Sequence, residues 1–504
     1  MSATPEQRLY QLWGEIRDLS SAEDLLGWDQ ETGMPPRAHQ ARGDVMATLA
    51  GLKHQRLTSP ELSDVLGECA AVAEPDSVLE AQVREARRKV DRAVRVPLSL
   101  ARELAHCQSV AINAWRAARE RDDFAYFQPH LERMLELCRQ EAQAISPDRP
   151  AYDVMLDEWE PGATEAQLAP LFEHLHRELV PLVQAVRDSG VTVDESPVQG
   201  DFPAAAQQVF VRRLSAALGF DFEAGRLDPS THPFCTGIQP PYDVRMTWRW
   251  YGDDLRPGLF GVLHESGHGL YDQGLPTAWQ RTPIGEPSST ALHESQSRLW
   301  ENLVGRSRSF WRWALPLLHQ DLPATAGLTL DQLWPALHTV VPSLIRVEAD
   351  EGTYNLHILV RFELERALFT GNLPVADLPA AWDEAYQRLL GIRPPRNAEG
   401  VLQDIHWSQG SFGYFPTYSL GTLASCQLFA AARRDLGDLD AAFAAGEFRP
   451  LLAWLREHIH QHGSRYPAAE LIRRATGQPL APDAFLAYIR DMVEQVYGVT
   501  TAAA

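Results

Sequence analysis

The sequence predicts a mainly α-helical protein with one small β-sheet near the middle of the chain. Over most of its length, apolar residues recur at intervals of three and four, which is the spacing of an amphipathic helix. Just before residue 264, short runs of β-forming residues are instead interrupted by proline and glycine. No fixed-period repeat and no low-complexity linker divides the 504 residues, so we expect a single domain spanning 1–504.

Helix signals follow one another through the first 190 residues. The Pro35-Pro36 pair is expected to end a helix, because proline lacks the backbone N–H and clashes with the preceding turn. Ser59 before Pro60 has the form of an N-cap followed by proline at the first helical position. The helices expected in this part begin at residue 5 and span 22–28, 38–52, a start at 60, 77–120, 127–144 and 164–188.

Strand signals are concentrated in two runs, 231–234 and 242–248. Both come shortly before the most informative helix of the chain, so a small sheet beside that helix is expected. The helical pattern resumes from Glu294 to Tyr497. Loops are expected to interrupt it at 322–327, 391–400 and 410–416.

Composition disfavours several classes of partner. A net charge of −21 argues against nucleic acid and anionic membranes. No run approaches 18 apolar residues and no positive-then-apolar leader opens the chain, so no membrane association is expected. The five cysteines are scattered, odd in number and without C-x-x-C spacing, which favours reduced thiols and a cytoplasmic location.

The most informative stretch has the form H-E-x-x-H, with His264, Glu265 and His268. Residues four apart lie one above the other on a helix, so the two imidazoles can converge on one metal ion. Glu265 lies at the adjacent angle, where its carboxylate can act as a general base. The pattern is typical of zinc-dependent hydrolysis of amides.

Two histidines leave a catalytic zinc one protein ligand short. An extended motif with a third histidine is excluded, because position 274 holds glycine. Glu294, 26 residues after His268 and on a second expected helix, is the predicted third ligand. Glu286, His293 and Asp272 remain alternatives for that ligand.

Three further stretches carry candidate substrate-binding residues. Arg346 lies in an expected helical run one turn before Asp350, so the two could form an ion pair; alternatively, the planar guanidinium could bind a substrate carboxylate through two hydrogen bonds. The glycine- and aromatic-rich stretch 400–418 suits a loop beside a site. There, His406, Tyr414 and Tyr418 could donate to a developing oxyanion, or simply pack. The third stretch, 232–234 with 243–247, could form an edge strand and a subsite wall that includes His232; Asp243 and Arg245 are expected to be structural partners.

Together these stretches resemble the carboxypeptidase Taq family of zinc metallocarboxypeptidases. The similarity extends to 28–36 near the start and 454–466 near the end, so it covers essentially the whole chain. Six motifs typical of that family occur intact and in order: H-P-F at 232–234, D-x-R-x-T at 243–247, H-E-x-x-H at 264–268, H-E-S-Q at 293–296, I-R-x-x-A-D at 345–350 and G-x-x-Q-D-x-H-W at 400–407.

The resemblance implies a large, almost all-helical zincin fold like that of neurolysin, with two helical lobes flanking a deep cleft. It implies homodimers that remove single residues from the free C-terminus of peptides with broad specificity, using zinc or sometimes cobalt. By the same resemblance, His264, His268 and Glu294 bind the metal and Glu265 is the general base. Arg346 would then anchor the terminal carboxylate of the peptide substrate, with His406, Tyr418 and Tyr414 nearby.

Two other functions are compatible with the same residues. An oligoendopeptidase or dipeptidyl carboxypeptidase could use an identical zinc site and would differ in the size of the fragment released. A helical binding or scaffold protein with a vestigial site belongs to another class. The presence of Glu265 beside both histidines argues against it, because the evident use of that residue is chemistry.

Overall fold

The computed structural model describes residues 3–500, and 69% of the chain is helical, which confirms the predicted fold class. The chain forms two compact units, each assembled from three separate segments. The first unit comprises the chain up to Val94, Asp194–Leu337 and Ala424–Leu480; the second comprises Arg95–Val193, His338–Leu423 and the chain from Ala481 onward. Because the segments alternate along the sequence, no linker marks a boundary, and the expectation of a single domain stays a prediction.

The first unit opens with four helices: α1 (Pro5–Thr32), α2 (His39–Leu57), α3 (Pro60–Val72) and α4 (Val78–Arg95). The two helices expected before the Pro35-Pro36 pair are one continuous helix, since no breaker separates them. Ser59 caps α3 as predicted, accepting a hydrogen bond from the Leu62 N–H. Trp13 of α1 is buried in a core shared with Leu62 and Val65 of α3.

The middle of the first unit carries the sheet and the H-E-x-x-H helix. In the three-stranded sheet, β3 (Asp243–Trp248) lies between β1 (Gly225–Pro229), to which it is parallel, and β2 (Cys235–Gln239), to which it is antiparallel. Strands β2 and β3 contact helix α10 (Leu255–Asp272), which carries the H-E-x-x-H motif. The small sheet beside this helix is therefore confirmed. The predicted strand over 231–234 is wrong: Pro233 has no N–H to donate to a ladder, and β2 begins at Cys235. The elements are α9 (Ala204–Leu218), β1 (Gly225–Pro229), β2 (Cys235–Gln239), β3 (Asp243–Trp248), α10 (Leu255–Asp272), α11 (Thr290–Arg298), a π-helical turn (Leu299–Val304), α12 (Arg308–Asp321) and α13 (Leu330–Ala336).

The second unit contains the helices of its three segments, Arg95–Val193, His338–Leu423 and the chain from Ala481 onward. The predicted stretch 77–120 forms two helices, α4 and α5 (Leu98–Arg121), which are interrupted before Pro97. Helix α16 (Pro416–Leu436) has residues in both units, because the boundary between the segments falls after Leu423. The second unit holds α5 (Leu98–Arg121), α6 (Phe124–Ile145), α7 (Ala151–Trp159), α8 (Glu165–Asp188), α14 (Tyr354–Thr370), α15 (Leu378–Leu390), the start of α16 (Pro416–Leu436) and α20 (Asp483–Tyr497); the first unit is completed by α17 (Leu439–Ala444), α18 (Arg449–His458) and α19 (Ala468–Thr476).

Membrane-spanning helices and disulfides were not expected from the sequence, and both can be examined in residues 3–500. Among the helices described there, none is both long and apolar enough to cross a membrane. All five cysteines are free thiols. The cytoplasmic location inferred from the cysteine pattern stays a prediction.

Candidate metal centre

Helix α10 presents two imidazoles from one face. Its N-terminus is capped by Asp254, whose side chain accepts a hydrogen bond from the Arg256 N–H. The opposite face is buried against the core of the first unit through apolar side chains such as Val262. His264 and His268 lie one turn apart, with ring centroids separated by 4.9 Å and ring planes inclined at 81°.

A glycine lets a second helix approach these imidazoles. A Cβ on Gly267 would lie 2.4 Å from the Gln296 carbonyl oxygen and 2.5 Å from the Ser297 Cα, so α10 and α11 touch backbone to backbone at this point. This close contact brings Glu294 of α11 against the imidazoles. Its Oε2 lies 3.5 Å from His264 Nε2 and 3.4 Å from His268 Nε2.

The three side chains fit a metal ion. They form the one group of at least three potential ligands within mutual reach among residues 3–500, with all donor atoms within 4.8 Å of one another. Two ligands bound tetrahedrally to zinc at about 2.0–2.1 Å are separated by about 3.3 Å. The observed separations of His264 and His268 from Glu294 are close to that value, so the donors need little movement to bind the ion.

Glu294 and His264, two of the three candidate metal ligands, are each oriented by a further hydrogen bond. Glu294 Oε1 accepts from Arg298 Nε at 2.8 Å, which leaves Oε2 as the oxygen that faces the imidazoles. His264 Nδ1 lies 2.8 Å from Glu301 Oε2, so the carboxylate fixes the hydrogen on Nδ1 and leaves Nε2 as the donor to a metal. Glu301 belongs to the π-helical turn that follows α11 and also bonds Arg298. Such turns occur frequently at functional sites.

The electrostatic potential at this point favours a cation. Burial disfavours a charged imidazole, but Glu294 and Glu301 outweigh it and raise the pKa of His264 to about 9. Burial lowers the pKa of His268 to about 4. Burial opposes ionisation of Glu294, yet His264 and Arg298 hold the pKa of its carboxyl far below its usual range. Arg298 and a protonated His264 therefore balance the carboxylates of Glu294 and Glu301, and a metal cation at His264 Nε2 would take the place of that proton.

Glu265 lies beside the two histidines and is only 6% exposed. Burial raises the pKa of its carboxyl to about 7, against the opposing effect of His264. A carboxyl group with a pKa near neutrality can accept and return a proton at physiological pH. A buried carboxyl group with a raised pKa therefore lies next to the candidate ligands.

The alternative ligands have other partners. Glu286 is paired with Arg17 and Lys89, and burial notwithstanding, these cations lower its pKa to about 2. His293 bonds His268 and Asp272 and does not belong to the group of three. The three alternatives thus lie outside the group formed by His264, His268 and Glu294.

Arg346 lies in the second unit, and its surroundings differ from those expected. The predicted helical run over 344–350 is wrong: only a short 3₁₀ turn, Arg346–Glu348, forms there. Arg346 does not pair with Asp350, whose carboxylate instead accepts hydrogen bonds from backbone N–H groups of its own loop, including that of Thr353. The guanidinium bonds Asp404 through Nε (2.9 Å) and Nη2 (2.8 Å), and Tyr354 through Nη1.

The aromatic loop residues lie near Arg346 in the same unit. The Arg346 guanidinium is 5.1 Å from the Tyr418 ring centroid, and the Tyr418 and Tyr414 rings are 5.4 Å apart. Tyr414 in turn lies 5.4 Å from the His406 ring. Burial lowers the pKa of His406 to about 4, so this imidazole is neutral at physiological pH. The four predicted substrate contacts of this unit therefore form one cluster.

The remaining predicted contact and its neighbours lie in the first unit. His232 is exposed in the bend before β2. Arg245 pairs with Asp243 through two hydrogen bonds of 2.8 Å and lies over the Trp28 ring at 4.4 Å. The pair is thus a structural contact within β3, in agreement with the prediction for Asp243 and Arg245.

Sequence reasoning missed three charged residues that hold the candidate site residues. Arg298 and Glu301 follow Glu294 by four and seven residues, which places all three along one side of a helix and was a detectable signal. Asp404 is the carboxylate that binds both Arg346 and Arg361. It is the acidic residue of the G-x-x-Q-D-x-H-W motif, but its distance of 58 residues from Arg346 gave no indication of their contact.

Comparisons with known proteins identify the family of this chain. A family model described as Carboxypeptidase Taq (M32) metallopeptidase matches residues 8–493. Thermostable carboxypeptidase 1 from Thermus thermophilus is 44% identical over 510 residues, covering 98% of this chain and 100% of that protein. Carboxypeptidase 1 from Bacillus subtilis is 36% identical over 498 residues, covering 98% and 99%.

Solved structures show the same fold. An M32 carboxypeptidase from Deinococcus radiodurans superposes with a TM-score of 0.95 at 40% identity, covering 99% of this chain and 100% of that one. A Pyrococcus furiosus carboxypeptidase gives a TM-score of 0.94 at 35% identity, covering 97% and 99%. The agreement in sequence and in fold over nearly the whole length shows that this chain belongs to the carboxypeptidase Taq family of metallopeptidases and is a metallocarboxypeptidase.

Proposed function

We propose that this metallocarboxypeptidase is zinc-dependent and removes single amino acids from the free C-terminus of peptides with broad specificity. The observation that carries the zinc proposal is the group formed by His264, His268 and Glu294, with Glu265 beside it. Two imidazoles and one carboxylate form the donor set of many catalytic zinc sites, and they leave a coordination position open. Cobalt, which accepts nitrogen and oxygen donors, is expected to substitute for zinc.

The bound ion would act as a Lewis acid that polarises the scissile carbonyl and makes water a better nucleophile at neutral pH. Around it, Glu294 contributes one oxygen, because Arg298 holds the other. Glu301 keeps the hydrogen of His264 on Nδ1. These contacts fix the donors before substrate arrives, which avoids reorganisation during the reaction.

Glu265 is the proposed general base. Its carboxylate would take a proton from the attacking water and deliver it to the nitrogen of the departing amino acid. Its pKa of about 7 makes both transfers feasible near neutral pH. Because the side chain is buried, the transferred proton is protected from exchange with bulk solvent.

Arg346 is the proposed anchor for the terminal carboxylate of the substrate. Asp404 and Tyr354 occupy three of its five N–H donors, so two remain for a carboxylate. Its 4% exposure means that a substrate must reach a nearly buried group, which suits the end of a chain better than its middle. His406, Tyr414 and Tyr418 are proposed as further substrate contacts, since they cluster with Arg346. His232, an exposed residue of the unit that contains the candidate metal site, is also proposed as a substrate contact.

The proposal is tested by mass spectrometry of a peptide incubated with zinc-loaded enzyme. The free acid should lose one residue at a time from the C-terminus. The amidated form of the same peptide should react roughly 10- to 100-fold more slowly, because a charged hydrogen-bonded group contributes about 1.5–3 kcal/mol. Removal of the metal with a chelator should abolish cleavage, and zinc or cobalt should restore it.

Glu265→Gln provides the matched control. The variant should retain one zinc ion per chain but cleave roughly 100- to 10,000-fold more slowly, because general acid–base catalysis contributes about that factor. Dipeptides or internal fragments from the native enzyme would support the alternative, an oligoendopeptidase or dipeptidyl carboxypeptidase with the same metal site. Equal rates for the free acid and the amide would contradict the role assigned to Arg346.

We also propose that the protein is a cytoplasmic homodimer, as the family resemblance and the free cysteines suggest. Light scattering coupled to size-exclusion chromatography should give twice the chain mass of 56.4 kDa. A monomeric mass would refute the dimer without affecting the proposed chemistry.

A further inference from the structure

The two candidate histidine ligands are supported in different ways. A carboxylate contacts His264 directly, whereas His268 contacts a second imidazole, His293, which in turn contacts Asp272. We propose that His293 and Asp272 are positioning residues that hold the imidazole of His268 in the form and orientation needed to bind the metal. This proposal rests on the assignment of His268 as a ligand.

The chain of contacts is continuous and well enclosed. His268 Nδ1 lies 2.5 Å from His293 Nδ1, and His293 Nε2 lies 3.1 Å from Asp272 Oδ1. The His268 and His293 rings are inclined by only 28°, and the Tyr271 ring lies 5.3 Å from His293. Asp272 is 5% exposed, so water competes little for its carboxylate.

The carboxylate determines which nitrogens carry hydrogen. An ionised carboxylate only accepts hydrogen bonds, so His293 must donate to Asp272 from Nε2. A neutral imidazole that carries its hydrogen on Nε2 accepts through Nδ1. His293 Nδ1 therefore accepts the hydrogen on His268 Nδ1, and His268 Nε2 keeps the lone pair that faces Glu294. Without Asp272, His293 could adopt the other form and present a second N–H to His268.

The distance between His268 and Asp272 explains why His293 is needed as well as Asp272. Asp272 follows His268 by one helical turn on α10, yet its Oδ1 lies against His293 instead of His268. His293, the residue before Glu294 on α11, fills the space between them. The same helix thus supplies the third ligand and the group that orients the second ligand. This explains why two residues that are plausible ligands by type stand outside the metal group.

The test is zinc affinity, measured by competition with a chromophoric chelator on full-length protein. His293→Leu should weaken zinc binding roughly 10- to 100-fold, the usual cost of removing a residue that supports a ligand. His293→Gln should retain part of the affinity, because its amide oxygen can accept from His268. Likewise, Asp272→Ala should lose more affinity than Asp272→Asn, whose amide oxygen can still accept.

Controls separate positioning from folding. His458 of the same unit bonds a backbone carbonyl of α18, so His458→Gln should leave the zinc affinity unchanged. The thermal midpoint of the metal-free protein should be similar for the leucine and glutamine variants at 293, whereas their zinc affinities should differ. Equal affinities for those two variants and the native protein would overturn the proposal.

A measurement on the native holoenzyme needs no variant to fold. Long-range ¹⁵N–¹H spectra of labelled histidine should show hydrogen on Nδ1 of His268 and on Nε2 of His293; hydrogen on Nδ1 of His293 would overturn the proposal. Failure of the metal assignment would look different. In that case the native protein would not bind one zinc ion, or His264→Ala would bind it as tightly as the native protein does.

Discussion

Gly267→Ala is expected to damage the metal site even though alanine favours helices. In the interior of a helix, alanine is more favourable than glycine by about 1 kcal/mol. At position 267, however, the added Cβ would lie 2.4 Å from the Gln296 carbonyl oxygen and 2.5 Å from the Ser297 Cα. Both are backbone atoms of α11, which cannot rotate away as a side chain can. The helices must therefore separate.

The size of the separation follows from these distances. A carbon atom approaches a carbonyl oxygen no closer than about 3.3 Å without strain, so α11 must move by about 1 Å relative to α10. Metal–ligand distances tolerate deviations of only about 0.2 Å. Glu294, which lies on α11 two residues before Gln296, would move with it. We therefore expect a zinc affinity at least roughly 10-fold weaker, and a loss of about 1–3 kcal/mol from overpacking.

The assay compares Gly267→Ala with Gly261→Ala, a matched control on the same helix. The nearest atom to a Cβ on Gly261 is Pro233 Cγ at 3.9 Å, an ordinary van der Waals contact. Gly261→Ala should therefore bind zinc with native affinity and have a higher thermal midpoint. Gly267→Ala should bind zinc more weakly and have a lower thermal midpoint. A Gly267→Ala variant with native zinc affinity and native stability would refute the reasoning, because it would mean that the two helices are not in backbone contact.

Two further predictions concern the second unit. Burial raises the pKa of Glu365, which accepts hydrogen bonds from Trp407, Gly413 and Tyr152, to about 7, above the unfolded value of about 4.3. Its contribution to stability is therefore fully present below about pH 4 and lost as the pH rises through 7, a change of about 4 kcal/mol in all, of which about 2 kcal/mol falls above pH 5.5. Urea unfolding at pH 5.5 and 8.5 should therefore show a smaller difference for Glu365→Gln than for the native protein, and an equal difference would contradict the assignment. Arg346→Lys should lower kcat/KM for a free-acid peptide roughly 10- to 100-fold, chiefly through KM, because lysine cannot form the bonds to Asp404 and Tyr354 while also binding a carboxylate through two donors; steady-state kinetics with an unchanged KM would contradict it.

The parts of the site that could be predicted from the sequence are those that depend on a single helix. The convergence of His264 and His268 follows from the i,i+4 spacing alone, and the neighbouring sheet follows from the β-forming run 242–248. The same spacing rule failed at Arg346. There the chain forms a 3₁₀ turn, and its partner Asp404 is distant in sequence. Local periodicity does not specify such contacts, because they depend on how separate segments pack.

The position of Glu294 could be predicted from the sequence only in part. Its distance from His268 along the sequence was only suggestive, because the chain between α10 and α11 does not by itself determine how those helices meet. The determinant is Gly267, which permits backbone contact at one turn of each helix. A glycine inside a strongly helical motif was therefore the physical signal for the position of the third ligand, although its meaning became evident only with the packing partner.

The residues around His264 show why the supporting carboxylates are harder to predict than the ligands. Glu294 and Glu301 are seven residues apart, about 10.5 Å along a regular helix, yet both contact the same imidazole. Contact with both is possible because the two ring nitrogens face different directions, and because the π-helical turn begins between the two residues and alters their spacing. Arg298, which lies between them in sequence, binds one oxygen of each carboxylate and limits their mutual repulsion. The ligand, the supporting carboxylate and their shared cation thus depend on one another, so a change in any of them should affect metal binding through the other two.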